Sequence, residues 1–440
     1  MFSKINLKHI LILAIGFFWC SAIYLTQQTY MLNYCSKDFV NTIAILYGSI
    51  SMALGILLYM VIYKRSNNLK SYYALFSIFA IVSSIVFFGT ENKILMSICL
   101  CLTCLFGTAG FGVGYHFSLL AFNIEKEYRG RIFAIGYGIG SVLTYLLALL
   151  PKSFYGSISS LLLYVPIIIL NIILVLKNRD LIVTRNETYT KSYKKYFWIL
   201  SIIVLSMSLL SALSTDVVST HIFELDGLFA STRIYYCVGL LLAGYLVDKK
   251  KEIFDIATLM SFVFSLLAIV LLDKNISTHI VISLTYFFVG FFVVFRTLMF
   301  VNLYDQKRGT LYLCGIGLMY SRVMEGILNI FQKELVKNYT LLIVVETLML
   351  CLVLWVYLLY YLKNNRTSSN DKLKEIVLKY KLSNQEEKVL ELLIQDLTKK
   401  EIASELYLSV NTIKILVTNI YKKTGMTRAE LKEKCILRAE

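Results

Sequence analysis

Proline is almost absent, with two in 440 residues, so almost nothing along the chain forbids long uninterrupted helices. Charge is scarce too: 16% of residues are Asp, Glu, Lys or Arg against 58% hydrophobic, and the mean hydropathy is +0.68. Those values exclude an ordinary soluble protein and point to a membrane protein. Histidine is limited to His9, His116, His221 and His279, which form no cluster, and the nine cysteines show no metal-ligand spacing. Cys99, Cys101 and Cys104 sit inside an apolar run, where they read as small hydrophobes. No metal or other cofactor is expected. The chain also lacks a Gly-rich phosphate loop, a nucleophile with its base, and an aspartate-rich receiver segment, so no enzyme activity is expected. Acidic residues are outnumbered, 28 against 44 basic ones, leaving a formal charge of +16. Such a charge fits nucleic acid or the cytoplasmic loops of a membrane protein, and only its placement separates the two.

What the chain has in abundance is apolar sequence. Runs long enough to cross a hydrocarbon core of about 30 Å recur about twelve times, near 8–28, 40–63, 71–90, 94–122, 132–150, 158–176, 196–214, 233–247, 253–272, 278–303, 310–332 and 339–362. The first has a short basic start but no small-residue cleavage site after it, so it is expected to stay in the mature protein. Basic residues crowd every second connection: Lys64, Arg65 and Lys70; Lys126, Arg129 and Arg131; Lys177 to Lys195; Lys249 to Lys251; Lys307 and Arg308. By the positive-inside rule both termini are expected to be cytoplasmic.

The apolar part repeats. RGRIFAIGYGIG from Arg129 to Gly140 is matched by RGTLYLCGIGLM from Arg308 to Met319, with Arg, Gly and Gly-x-Gly in register at an offset of 179 residues. That offset is the length of six spans with their loops, as two parallel halves require. Gly244, Leu246 and Asp248, followed by Lys249 to Lys251, form a G-x-L-x-D-basic loop between spans eight and nine. The equivalent loop of the first half, Gly55 to Arg65, keeps the Gly and the base but has no Asp. Together these features resemble the major facilitator superfamily. The resemblance implies two six-helix membrane halves, residues 1–176 and 196–362, joined by a cytoplasmic loop at 177–195.

An ionisable group inside a span costs roughly a few kcal/mol or more, so each needs a partner or a purpose. Arg296, Arg322, Glu325 and Glu346 qualify in the second half and His116 in the first; by the repeat, His116 falls opposite Phe295, beside Arg296. Arg322 and Glu325 are three apart and share a helix face. Two readings stand: ion pairs that lock the last two spans, or the polar lining of a cavity for a small ligand with an acidic or phenolic group. Trp19, Tyr24, Gln27 and Gln28, with Tyr115 beside His116, are further lining candidates, simple packing being the other reading.

The C-terminal stretch has a different character. In LSNQEEKVLELLIQDLTKKEIASELYLSVNTIKILVTNIYKKTGMTRAEL, from Leu382 to Leu431, three helix starts place Ser or Thr three residues before Glu: Ser383 and Glu386, Thr398 and Glu401, Thr427 and Glu430. This is the capping-box spacing. Ser409 caps a further helix without the acid. Leu406, Tyr407 and Leu408 leave room only for a tight corner, as in a helix-turn-helix. After it, Val410, Ile413, Val417 and Ile420 recur toward a core, while Asn411, Lys414, Ile415, Thr418 and Lys422 take the opposite face. A polar, basic helix face fits the major groove of DNA; a small solvated bundle is the other reading.

Val389 to Leu393, Lys400 to Leu406, Ser409 to Lys414, Asn419-Ile420 and Lys423 to Gly425 resemble the LuxR-type helix-turn-helix, with departures at Asp396, at Leu416 and in the segment after Gly425, which is one residue short of the commonest form. The resemblance implies a four-helix domain at 382–440 whose partner is double-stranded DNA. It implies that Lys414, Ile415 and Thr418 reach bases and that Thr412 and Lys423 lie near phosphates, with Lys399, Lys400, Asn411 and Lys422 completing the DNA-facing set. It also implies a homodimer through this domain, with Leu431, Cys435 and Ile436 as the self-association surface. A linker at 363–381 begins as the polar stretch Lys363 to Asn370 and continues as a brief amphipathic helix.

The expectation is therefore an all-α membrane protein, a twelve-helix major-facilitator-like bundle followed by a LuxR-type domain, multi-pass in a bacterial cytoplasmic membrane and surrounded by lipid. Its expected role is a one-component transcription regulator that senses a small molecule. The alternatives are a small-molecule transporter with an accessory tail and a membrane-anchored regulator controlled by a partner protein.

Overall fold

A computed structural model describes residues 4–178, 181, 191–222, 228–273, 278–306, 308–336, 338–394 and 397–431. Asp396, Cys435 and Ile436 lie outside the described residues. The chain divides into two compact units, Met1–Leu354 and Trp355–Glu440, and no strand occurs among the described residues.

The first unit opens with α1 (Lys4–Met31) and α2 (Lys37–Asn41), whose π-helical continuation Thr42–Gly48 runs into α3 (Ser49–Arg65). Next come α4 (Leu69–Phe88), α5 (Lys93–Phe106), α6 (Phe111–Asn123), α7 (Lys126–Ala148), the single turn α8 (Lys152–Tyr155) and α9 (Leu161–Leu176). The second half comprises α10 (Lys191–Ile222), α11 (Leu228–Lys249), α12 (Lys251–Asp273), α13 (Thr278–Val301), the short α14 (Leu303–Gln306), a 3-10 segment Arg308–Leu313, α15 (Ile316–Val336) and α16 (Tyr339–Lys379). Helix occupies each of the twelve expected spans. Nine helices among the described residues are long and apolar enough to cross a bilayer. Their outer faces stay apolar, with Leu75, Ile78 and Val82 on α4 and Leu341, Val344 and Leu348 on α16 all exposed, as a lipid solvent requires.

Three stretches depart from the expected pattern. The fourth span, expected as one helix, breaks between α5 and α6. A Cβ at Gly55 would sit 2.2 Å from the Leu105 carbonyl oxygen and one at Gly110 would sit 2.3 Å from it. The glycines thus let the broken backbone lie against α3, and the Thr108 hydroxyl in the break donates to Gly16 O at 2.7 Å. The eleventh span begins as the 3-10 segment, and its α-helix starts only at Ile316. Finally, α16 runs on to Lys379 through the stretch read as a linker. No proline or glycine occurs there, so nothing in the backbone stops the helix.

The second unit adds α17 (Asn384–Ile394), α18 (Lys399–Glu405) and α19 (Val410–Thr424). Its core gathers Leu373, Ile376, Val389, Leu390, Ile402, Ile413, Val417 and Ile420. The capping boxes form: Ser383 N–H donates to Glu386 Oε2 at 2.7 Å, and Thr398 N–H to Glu401 Oε2 at 2.7 Å. Ser409 Oγ accepts from Thr412 N–H at 3.0 Å, and Gly425, at φ +68°, closes α19. The corner between α18 and α19 puts Tyr407 at φ +53°.

Candidate DNA-reading face and membrane cavity

On α19, Ile413, Val417 and Ile420 are buried, and one face of exposed side chains carries Asn411, Lys414, Ile415, Thr418 and Lys422. Ile415 is 61% exposed and lies outside the unit's apolar core, which suits contact with a thymine methyl. The Thr418 hydroxyl donates to Lys414 O at 2.8 Å, so toward a partner it can only accept. Lys399 and Lys400 are exposed at the start of α18 and Thr412 is half-buried beside the Ser409 cap.

Two expectations change here. Lys423 does not stand free for a phosphate: its Nζ lies 2.6 Å from Glu386 Oε2, tying the end of α19 to the start of α17. Burial would raise the Glu386 carboxyl, but the Lys423 ammonium and the hydrogen bonds from Ser383 outweigh it and hold the group below the ordinary carboxylate value. Leu431 is fully buried in the unit's own core and offers no self-association surface.

In the first unit, a cavity of about 290 Å³ opens between the two halves, walled by α1, α3, the break before α6, α6, α7, α10, α11, α13 and α15. Among the described residues, α4, α9, α12 and α16 contribute nothing to the wall. Of the candidate residues, Tyr24, Gln28, His116, Arg296, Arg322 and Glu325 line it. Trp19 does not; it is buried in the apolar cluster with Tyr164 and Ile168. Glu346 does not either, being on α16, outside the ring of lining helices, and fully buried. Gln27 is buried, donating to Thr103 Oγ1 at 3.4 Å, and Tyr115 packs against Tyr59 and Tyr73.

Arg322 Nη1 meets Glu325 Oε2 at 2.5 Å, so the i, i+3 pairing holds and faces the cavity. The sequence reading missed Arg233, Tyr137, Tyr236, Ser208 and Ser321, all on the wall. Arg233 fell at the expected edge of span eight, whereas α11 begins five residues earlier, at Leu228. Ser208 and Ser321 share a hydrogen bond of 3.0 Å that links α10 to α15.

Residues 380–429 match the GerE family, described as bacterial regulatory proteins of the luxR family. The stretch is similar to the spore germination protein GerE of Bacillus subtilis strain 168, at 46% identity over 53 residues, 12% of this chain and 72% of that protein. Through its C-terminal unit, the chain belongs to the luxR family of bacterial regulatory proteins. A helix-turn-helix of this family implies DNA binding. The rest of this luxR-family chain is similar in fold to a crystal structure of the nucleoside transporter NupG (TM-score 0.56, 14% identity, 80% of this chain and all of that one). It is similar also to the E. coli fucose:proton symporter FucP (TM-score 0.54, 11% identity, 80% of this chain and 98% of that one). The N-terminal unit therefore shares the fold of these two transporters and is joined to a luxR-family helix-turn-helix.

Proposed function

We propose that this protein is a membrane-embedded one-component transcription regulator, in which a small molecule bound in the central cavity controls DNA binding by the helix-turn-helix. The observation that carries the reading is a luxR-family helix-turn-helix, with an exposed polar face on α19, on the same chain as a cavity-bearing transporter fold. A base-reading helix has no use in transport, while a sensor needs a ligand cavity with two conformations and no complete transport cycle. The basic connections support an orientation with both termini in the cytoplasm and the bundle in the cytoplasmic membrane. Lys399, Lys400, Asn411, Thr412, Lys414, Ile415, Thr418 and Lys422 make the DNA contacts, Tyr24, His116, Arg296, Arg322 and Glu325 the ligand site, and a homodimer reads paired half-sites. Lipid surrounds the bundle, and the protein catalyses no reaction.

A small-molecule transporter with an accessory tail is the second reading, favoured by a cavity that lies between the halves as a transport site does. The test maps the DNA bound in cells and follows expression of those targets with and without residues 363–440. Regulation lost with the tail supports the proposal. Protein-dependent flux of the inducing molecule that persists without the tail makes the transporter reading the better one.

A further inference from the structure

Arg296 on α13 is only 9% exposed, lines the cavity, and takes part in no hydrogen bond or ion pair among the described residues. Its guanidinium instead lies over the Phe292 ring at 5.4 Å, and its buried Nε has no partner. A buried cation without a counter-charge is costly. The wall offers little relief: among its described residues, Arg296 and Arg322 share the one carboxylate of Glu325, which is already held by Arg322 at 2.5 Å. The missing charge is negative, and the planar guanidinium fork suits a carboxylate.

The rest of the wall sets the body of the ligand. Phe17 meets Tyr137 at a centroid distance of 4.6 Å and Tyr236 at 5.9 Å, forming an aromatic surface beside the arginines. On another side, a buried relay fixes the tautomer of His116. Asn171 Nδ2 donates to Ile12 O at 3.1 Å, so Oδ1 is the acceptor that receives the Tyr73 hydroxyl proton. The Tyr73 oxygen then accepts from His116 Nε2–H at 2.9 Å, which leaves Nδ1 as an acceptor. That nitrogen lies next to Gly16, where a Cβ would approach it to 2.7 Å, and both residues line the cavity.

We infer that the cavity takes a small hydroxylated aromatic carboxylate, its acid group on Arg296, its ring on the Phe17, Tyr137 and Tyr236 surface, and a hydroxyl donating to His116 Nδ1. This rests on the reading of the cavity as a ligand site. Binding is measured directly on the purified full-length protein in lipid nanodiscs, by thermal stabilisation and calorimetry, with the three monohydroxybenzoates, each beside its primary amide. The acid that fits binds, its amide binds about tenfold or more weakly, and Arg296→Gln loses about the same factor. Arg296→Lys keeps part of the affinity, and Glu325→Gln strengthens acid binding because a competing carboxylate is gone. The Lys and Glu325 variants keep the test decisive should Arg296→Gln fail to fold. Failure of all three acids to bind, equal binding of acid and amide, or wild-type affinity in a folded Arg296→Gln overturns the inference. A reporter driven by the protein's own target promoter is read in parallel. Tight acid binding that leaves the reporter unmoved sinks the sensor reading and leaves the ligand class standing.

Discussion

Asp248 on α11 grips Arg131 on α7 twice: its Oδ2 accepts the Arg131 backbone N–H at 2.9 Å and the side-chain Nε at 3.1 Å. Its other oxygen accepts the N–H of Gly130 at 2.9 Å, and the carboxylate is almost wholly buried. One side chain thus fastens the first half to the second. The helices can come this close because Gly130 and Gly244 face each other; a Cβ at Gly130 would lie 2.7 Å from Gly244 O. The Asp and the Gly of the G-x-L-x-D loop therefore serve a single junction.

Removing that grip should loosen this end of the bundle. Asp248→Ala loses three hydrogen bonds to a charged acceptor, each worth roughly 1.5–3 kcal/mol when intact, so amide exchange across residues 126–135 should quicken about tenfold or more. Lys249→Ala serves as the control. Equal protection in Asp248→Ala and wild type would show that the junction holds without the carboxylate.

Lys414 stands exposed at the centre of the α19 face. Lys414→Ala should cost about 1–3 kcal/mol of specific DNA binding if the ammonium reads a base edge, and a smaller, sequence-independent amount with a shallower salt slope if it holds a phosphate. Titrating the segment 371–440 against operator and unrelated DNA at several salt concentrations separates the two. Unchanged affinity and slope would remove Lys414 from the interface.

The Glu386 carboxyl titrates below the ordinary 4.5 in the folded unit. Its contribution to stability is therefore complete above about pH 4.5 and is lost as pH falls through the lower folded value. Thermal unfolding of the segment 371–440 between pH 7 and pH 3 should show a steeper acid loss in wild type than in Glu386→Gln. Lys423→Met should cost about 1–2 kcal/mol, since the ammonium is partly exposed but its partner is not. Parallel pH profiles for wild type and Glu386→Gln would contradict the assignment.

Tyr407 adopts a left-handed conformation, φ +53°, with 95% of its surface exposed. Such a residue pays about 1–2 kcal/mol in backbone strain and gains almost nothing from packing. Tyr407→Gly should raise the stability of the unit by about 1 kcal/mol, read as an increase in Tm. A fall in DNA affinity alongside that rise would mean the ring is kept for the nucleic acid.

The helices, the two-unit composition and the exposed polar face of α19 were written in the sequence, because each depends on local pattern. Apolar runs of bilayer length leave the backbone no alternative to helix, caps at fixed spacing start α17 to α19, and the period of 3.6 sorts Ile413 from Lys414. The partnership of Arg322 with Glu325 was legible for the same reason, being one turn of one helix. What neighbours across the bundle do was not legible. Inside a membrane every face of a span is apolar, so hydrophobic periodicity does not say which side looks at a cavity and which at lipid. Only the packing separated the lining helices from α4, α9, α12 and α16, and so placed Arg296 in the cavity and Glu346 outside it. The same holds for Lys423 and Leu431. The sequence pattern assigned both to a partner outside the unit; tertiary contacts paired Lys423 with the buried Glu386 and took Leu431 into the core.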